Sequence, residues 1–277
     1  MEVLRRAANP WGQEVMLGIA WDLMWAAAIA GTLFVVGHAI WVRFIAKPER
    51  PDPGPTSGRP IPDRVTRHSA SSRIFHWLMA AAMFVLLITA FFPVIGIRFP
   101  WVTIHWIAGL LLFATILYHV IYATFWQDLR AVWVGRDDRE EASSGVRRIL
   151  ARSRAPGPRS GKYPLDQKLY HHAAAVVTIG AIATGVLMMF RIDTALWAAN
   201  PYFLSDGLWG VMYVVHGLCG VGLITLVIAH VYFAIRPEKR WMTLSMIRGW
   251  ITREDYLRHY DPDRWVAGDA ANGAKKR

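Results

Sequence analysis

Five stretches of this chain contain no Asp, Glu, Lys or Arg: residues 23–42, 74–97, 99–126, 169–190 and 207–235. A helix needs about 20 residues to cross the hydrocarbon core of a bilayer, and each stretch is that long. Inside hydrocarbon every backbone N–H and C=O must find its partner within the protein. Continuous apolar runs meet that demand as helices, whereas a membrane barrel would alternate apolar and polar residues. Of the 277 residues 54% are apolar and 18% charged, against about 25% charged in an ordinary soluble domain. These values argue against disorder and against a single water-soluble globule. The expected fold is all-α and polytopic, built from five membrane helices.

The formal charge of +11 invites a nucleic-acid reading, but the positions of the basic residues answer it differently. Of the 31 Lys and Arg, seven lie in 43–73, ten in 130–168 and ten in 236–277, while the other connections hold only Arg98 and Arg191. Short basic segments flanking membrane helices stay on the cytoplasmic side. The N-terminus is then outside and the C-terminus inside, as five crossings require, and the charge reports topology, not nucleic acid. The first stretch exceeds the 7–15 residues or so of a signal-peptide core and no small-residue cleavage site follows it, so it reads as a retained helix. The expected organisation is an N-terminal membrane helix in 1–46, a Pro-rich cytoplasmic linker in 47–63, a four-helix core in 64–235 and a cytoplasmic tail in 236–277. A second linker, 136–161, rich in Arg, Ser, Gly and Pro, is expected to be mobile.

One cysteine, Cys219, excludes a disulfide framework, a four-cysteine zinc site and an iron–sulfur cluster held by this chain alone. There is no nucleotide-binding motif either. A metal here must rely on histidine. The second core stretch carries His105 and His119, the fourth His216 and His230, each pair 14 residues apart. Fourteen residues of helix span about 21 Å and return nearly to the same face, so each helix offers one imidazole near each membrane surface. Gly109 and Gly220 each follow the first histidine by four residues, and a missing side chain there leaves room for a flat macrocycle. A lone histidine in an apolar helix is ordinarily a hydrogen-bonded core residue. Ionisable groups in membrane helices are nevertheless expensive and functional by default, and two matched pairs with matched glycines point to two bis-histidine haems stacked across the bilayer. Zinc would need convergent ligands at one depth. For the inner haem, spacing pairs His230 with His119, while His76, opening the first core helix, competes from a similar depth.

Arg73-Ile-Phe-His-Trp77, the pair His216 and His230, YPLDQKLYHH at 163–172, Thr184-Gly185 and MIRGWITREDYLRHYDPDRW at 246–265 together resemble the cytochrome b, or gamma, subunit of membrane-bound formate dehydrogenase. The resemblance runs from about residue 64 to 265 and shades into the di-haem cytochrome b subunits of nickel–iron hydrogenases and thiosulfate reductases. It implies a bacterial cytoplasmic-membrane anchor for an iron–sulfur (beta) subunit and a molybdopterin (alpha) subunit. Electrons from the periplasmic iron–sulfur partner would pass by two haems b to ubiquinone or menaquinone, and formate oxidation would belong to the partner. By that resemblance His105 and His216 hold the outer haem and His76 and His230 the inner one. His119 matches no ligand of the shorter relatives and becomes a supporting residue that bonds a propionate, a water or a carbonyl.

The resemblance also places a quinone site at the loop entering the third core helix, where Asn-Ala-Gly-Gln-Lys is typical. Here the residues are Pro164-Leu165-Asp166-Gln167-Lys168: Gln167 and Lys168 agree, Pro164 and Asp166 depart. A carboxylate at 166 suits proton delivery to reduced quinone and equally suits a helix N-cap. His171 and His172 lie one turn further on, about 100° apart, so at most one, His172 in our reading, faces such a pocket. His38 reads as a packing residue and His259 as a surface one, while Trp77, Trp101, Trp106, Trp126 and Trp209 read as an interfacial belt. The alternatives are a cytochrome b subunit of a hydrogenase or other molybdopterin oxidoreductase, a stand-alone transmembrane haem reductase, and a haem-free anchor or transporter.

Overall fold

The computed structural model describes residues 3–45, 60–151 and 159–267. Among the described residues five helices are long and apolar enough to cross a membrane, with spans of Trp21–Phe44, Ala70–Ile95, Trp101–Trp126, Leu165–Arg191 and Asp206–Ile235. They are built on α1 (Trp21–Ile40), α2 (Ala70–Phe91), α3 (Trp101–Trp126), α5 (Leu165–Met188) and α6 (Asp206–Ile235). All five charge-free stretches are therefore helical, and their outward apolar side chains, such as Val176 at 71% exposure and Ile107 at 52%, suit a lipid surround. Most of the Pro-rich segment expected at 47–63 lies outside the described residues.

The chain divides into two compact units, the first drawn from residues up to 38, 78–115 and 173–231. It opens with a hairpin that the charge pattern does not announce. Strands β1 (Leu4–Ala8) and β2 (Glu14–Ile19) pair antiparallel from Leu4↔Ile19 to Ala8↔Glu14, with a register shift between Arg5 and Arg6. The Asn9 side chain closes the turn by accepting the N–H groups of Trp11 and Gln13. Strand β2 lies on α6 at two glycines seven residues apart. A Cβ at Gly210 would come within 2.8 Å of Met16, and one at Gly217 within 2.8 Å of Ile19. Gly31 of α1 meets Ile228 of α6 in the same way, a Cβ there falling 3.1 Å from the isoleucine. Small residues let membrane helices approach closely, and Gly31 does so between α1 and α6. Trp209 is not an interfacial residue: it is 1% exposed, and its indole N–H donates to the Pro201 carbonyl at 2.8 Å.

The second unit is drawn from residues 39–77, 116–172 and 232 onward. Here the expected tail folds. Strand β3 (Arg64–Thr66) pairs antiparallel with β4 (Trp250–Thr252), which lies between α7 (Arg240–Arg248) and α8 (Arg253–His259). Val65, Ile251, Tyr256, Tyr260 and Trp265 form its core, and the Tyr256 hydroxyl donates to the Trp265 carbonyl. Gly249 ends α7 at φ +92°, a left-handed conformation that favours glycine, and its carbonyl accepts the N–H groups of both Arg67 and His68. Thr252 caps α8 by accepting the Asp255 N–H at 3.0 Å. His259 is not a free surface group, because it stacks on Trp241 with ring centroids 4.4 Å apart.

Most of the second expected linker is likewise ordered, for residues 136–150 form α4 (Arg136–Leu150). Asp137 and Asp138 in its first turn and Arg147 near its end complement the helix dipole. Asp138 accepts the Gly135 N–H at 2.7 Å. The Ser-Ser-Gly in its middle conceals this pattern from a reading by composition.

Candidate cofactor site

In the first unit α3 and α6 bring His105 and His216 together, with ring centroids 6.2 Å apart and planes 71° apart. A metal–imidazole bond of about 2 Å on each side, together with the two ring radii, places such centroids about 6 Å apart. Each ring is held at Nδ1 by a threonine from another helix: Thr89 Oγ1 of α2 lies 2.7 Å from His105 Nδ1, and Thr184 Oγ1 of α5 lies 3.0 Å from His216 Nδ1. The Ala181 carbonyl also stands 3.1 Å from His216 Nδ1. With Nδ1 committed, Nε2 of each ring is the nitrogen left for a metal.

The surrounding glycines keep the site open. A Cβ at Gly220 would meet nothing within 4 Å, and one at Gly109 would meet only Leu86, at 4.0 Å. Gly185 instead lets His216 approach α5, since a Cβ there would lie 3.3 Å from His216 Cε1. His230 lies five residues before the end of α6, in the same unit.

The second unit contains His76 and His119. The His76 ring lies 5.3 Å from Trp77. His119 packs 4.3 Å from Phe75 and 6.3 Å from His171, and its buried Nδ1 has no hydrogen-bond partner among the described residues. His172, 5.2 Å from Trp133, has a buried Nε2 in the same condition. Buried imidazole nitrogens without partners are costly, and two in one unit are places for groups this chain does not itself supply.

At the start of α5 the three candidate quinone residues are separated by their partners. Asp166 is exposed, one residue inside the helix, and its carboxylate accepts the Gln167 N–H at 2.9 Å. It thus occupies the first turn, not the N-cap position. Gln167 accepts from Arg67 at 3.2 Å and reaches Met242 Sδ at 3.1 Å. Lys168 is buried against Asp138 at 2.8 Å and also donates to the Trp133 carbonyl at 3.1 Å. Arg67, 2% exposed, stacks its guanidinium over Trp241 at 5.6 Å.

A family model described as prokaryotic cytochrome b561 matches residues 67–249, which include every histidine of this arrangement. The chain belongs to that family. The cytochrome is also similar to a formate dehydrogenase cytochrome b556 subunit of Haemophilus influenzae, at 23% identity, the match covering 73% of this chain and 82% of that one. Membership in a cytochrome b family makes haem b the cofactor. The residues present fit it: two imidazoles at bridging distance with their Nε2 atoms uncommitted, and two open glycines one turn further along.

Reading the sequence alone missed the threonines and the counter-charge of Lys168. Thr89 is a lone hydroxyl in an otherwise apolar run, and Thr184 was noticed only as part of a Thr-Gly pair. Asp138 was assigned to a linker, although a carboxylate pair followed by Glu140 and Glu141 is a helix-start signal.

Proposed function

We propose that this cytochrome is the membrane electron-transfer subunit of a formate dehydrogenase complex, holding two haems b. The observation that carries this reading is the His105–His216 pair, whose 6.2 Å centroid separation and committed Nδ1 atoms suit two rings that would hold one haem iron. Haem b, when bound, supplies reversible one-electron exchange at an iron that needs no protein proton donor. His105 and His216 would hold the outer haem, and the family resemblance gives His76 and His230 for the inner one, with His119 as a supporting residue. The chain sits in the bacterial cytoplasmic membrane, N-terminus outside and C-terminus inside, as its basic segments direct. The electron donor is an iron–sulfur subunit on the outer side, itself served by a molybdopterin subunit. Similarity to the Haemophilus influenzae formate dehydrogenase cytochrome favours formate as the primary reductant.

Quinone is reduced at the start of α5. Two electrons delivered to a quinone require two protons, so the site needs a solvent-connected acid. Asp166 is exposed there and can pass protons inward, while the unpartnered Nε2 of His172 suits a quinone carbonyl. Gln167 and Lys168 lie between them in sequence; their bonds to Arg67 and Asp138 fix the backbone on which the pocket is built.

Co-purification tests the reading. The cytochrome isolated in mild detergent should carry two haems b per chain with a low-spin reduced spectrum, and formate should reduce both when its partners are retained. A chain without haem, or one reduced by hydrogen and not formate in its native complex, rejects the corresponding part of the proposal.

A further inference from the structure

We propose that Thr89 and Thr184 are positioning residues that set the tautomer, orientation and basicity of the outer haem's two ligands, an inference that rests on the haem-ligand reading of His105 and His216. Both threonines are buried, at 2% and 5% exposure, within the apolar stretches of their helices. Each hydroxyl has one proton to give, and in each case the acceptor is on its own helix. Thr89 Oγ1 donates to the Val85 carbonyl at 2.8 Å, with Leu86 at 3.0 Å, and Thr184 Oγ1 donates to the Gly180 carbonyl at 2.7 Å, with Ala181 at 3.2 Å. With that proton spent, each oxygen meets its histidine as an acceptor only.

The tautomer follows. Nδ1 of both rings must carry the hydrogen, and Nε2 of both must carry the lone pair that a metal takes. For His216 the Ala181 carbonyl, which can only accept, demands the same tautomer. The threonine–histidine pairing occurs twice, on α2 with α3 and on α5 with α6, and at His216 the carbonyl three residues before the threonine completes the cradle. Packing alone gives no reason for a hydroxyl in both places, since valine has the same shape.

An acceptor on the distal nitrogen raises the basicity of an imidazole ligand and so favours the oxidised metal. Two such acceptors therefore hold the outer haem at a lower midpoint potential than unbonded imidazoles would give. The test compares Thr89→Val, Thr184→Val and the double variant with Thr89→Ser and Thr184→Ser, in the purified complex. We expect the valine variants to retain haem, to raise the midpoint of one haem only, to change its low-spin electron paramagnetic resonance signal, and to do both more strongly when combined. The serine variants should restore wild-type values. Loss of that haem in the valine variants, reversed by serine, supports the same role. Unchanged midpoints and signals in all valine variants, or haem loss that serine shares, overturn it. The haem reading itself fails separately, if the wild-type chain has no haem or if His105→Ala and His216→Ala leave both haems in place.

Discussion

The Lys168 ammonium donates to Asp138 across 2.8 Å, with both side chains buried, and so fastens α4 to the first turn of α5. Arg264 adds contacts of 3.5–3.7 Å to Asp137, Asp138 and Glu141. Removing one partner of a buried pair leaves the other uncompensated, at a cost of about 3–5 kcal/mol. Asp138→Asn should therefore loosen α4, read as faster hydrogen exchange over residues 136–150. Adding Lys168→Met should recover much of the loss, because the stranded charge is then gone.

The same pair predicts a pH dependence. Burial pushes the Asp138 carboxyl up, but the Lys168 ammonium, the Gly135 N–H and Arg264 outweigh it and hold the group below its ordinary range. A folded value below the unfolded one, near 3.9, means that the unfolded segment binds protons first as pH falls. The stabilisation is complete above about pH 5 and disappears as pH falls through the lower folded value. Exchange over 136–150 should be flat from pH 7 to 5 after correction for intrinsic rates and should accelerate in stronger acid. Acceleration already near pH 6 would place the sensitive group elsewhere.

For the outer haem, His105→Ala or His216→Ala should lower the haem count from two to one and block reduction by the donor subunit, while quinol still reduces the remaining haem. Difference spectra with formate and with quinol read both effects. Equal loss of both haems from a correctly inserted protein would count against the assignment of these ligands.

The N-terminal hairpin should be seated by glycine. Gly217→Ala places a methyl 2.8 Å from Ile19 Cγ1, and overpacking of this kind costs about 1–3 kcal/mol. Faster proteolysis within residues 3–19 is the expected readout. Ile19→Ala in the same chain should relieve the clash and slow cleavage again, which independent effects at the two positions would not do.

The membrane helices were legible because hydrocarbon imposes a rule that composition alone can test: no charge for 20 residues or more. The histidine pairs were legible because a 14-residue interval repeats on two helices. What escaped notice depends on residues that act in pairs across long sequence separations. Lys168 reads as part of a quinone motif, with no sign of its counter-charge, until Asp138, 30 positions earlier, is beside it. Gly210 and Gly217 read as ordinary membrane-helix glycines until Met16 and Ile19 occupy their notches. Thr89 and Thr184 have no local signal, since their function appears only when the helix carrying the histidine is in place.

For the inner haem, helix spacing and family resemblance name different partners for His230. His119 repeats the position of His230 on a helix already used by His105. His76 lies in the second turn of α2, and the family resemblance assigns the ligand to it. The buried, unpartnered Nδ1 of His119 and its packing against Phe75 and near His171 then suit a supporting residue that bonds a propionate or a water. His76→Met should replace a nitrogen ligand by a thioether, shifting or abolishing one b-type signal and impairing quinone reduction. His119→Met should retain two haems with at most a modest change in potential, as expected of a residue one step removed from the iron. Haem content and redox titration of the two variants separate these cases. If His119→Met loses the inner haem and His76→Met retains it, the internal repeat is the better guide, and the ligand passes to α3.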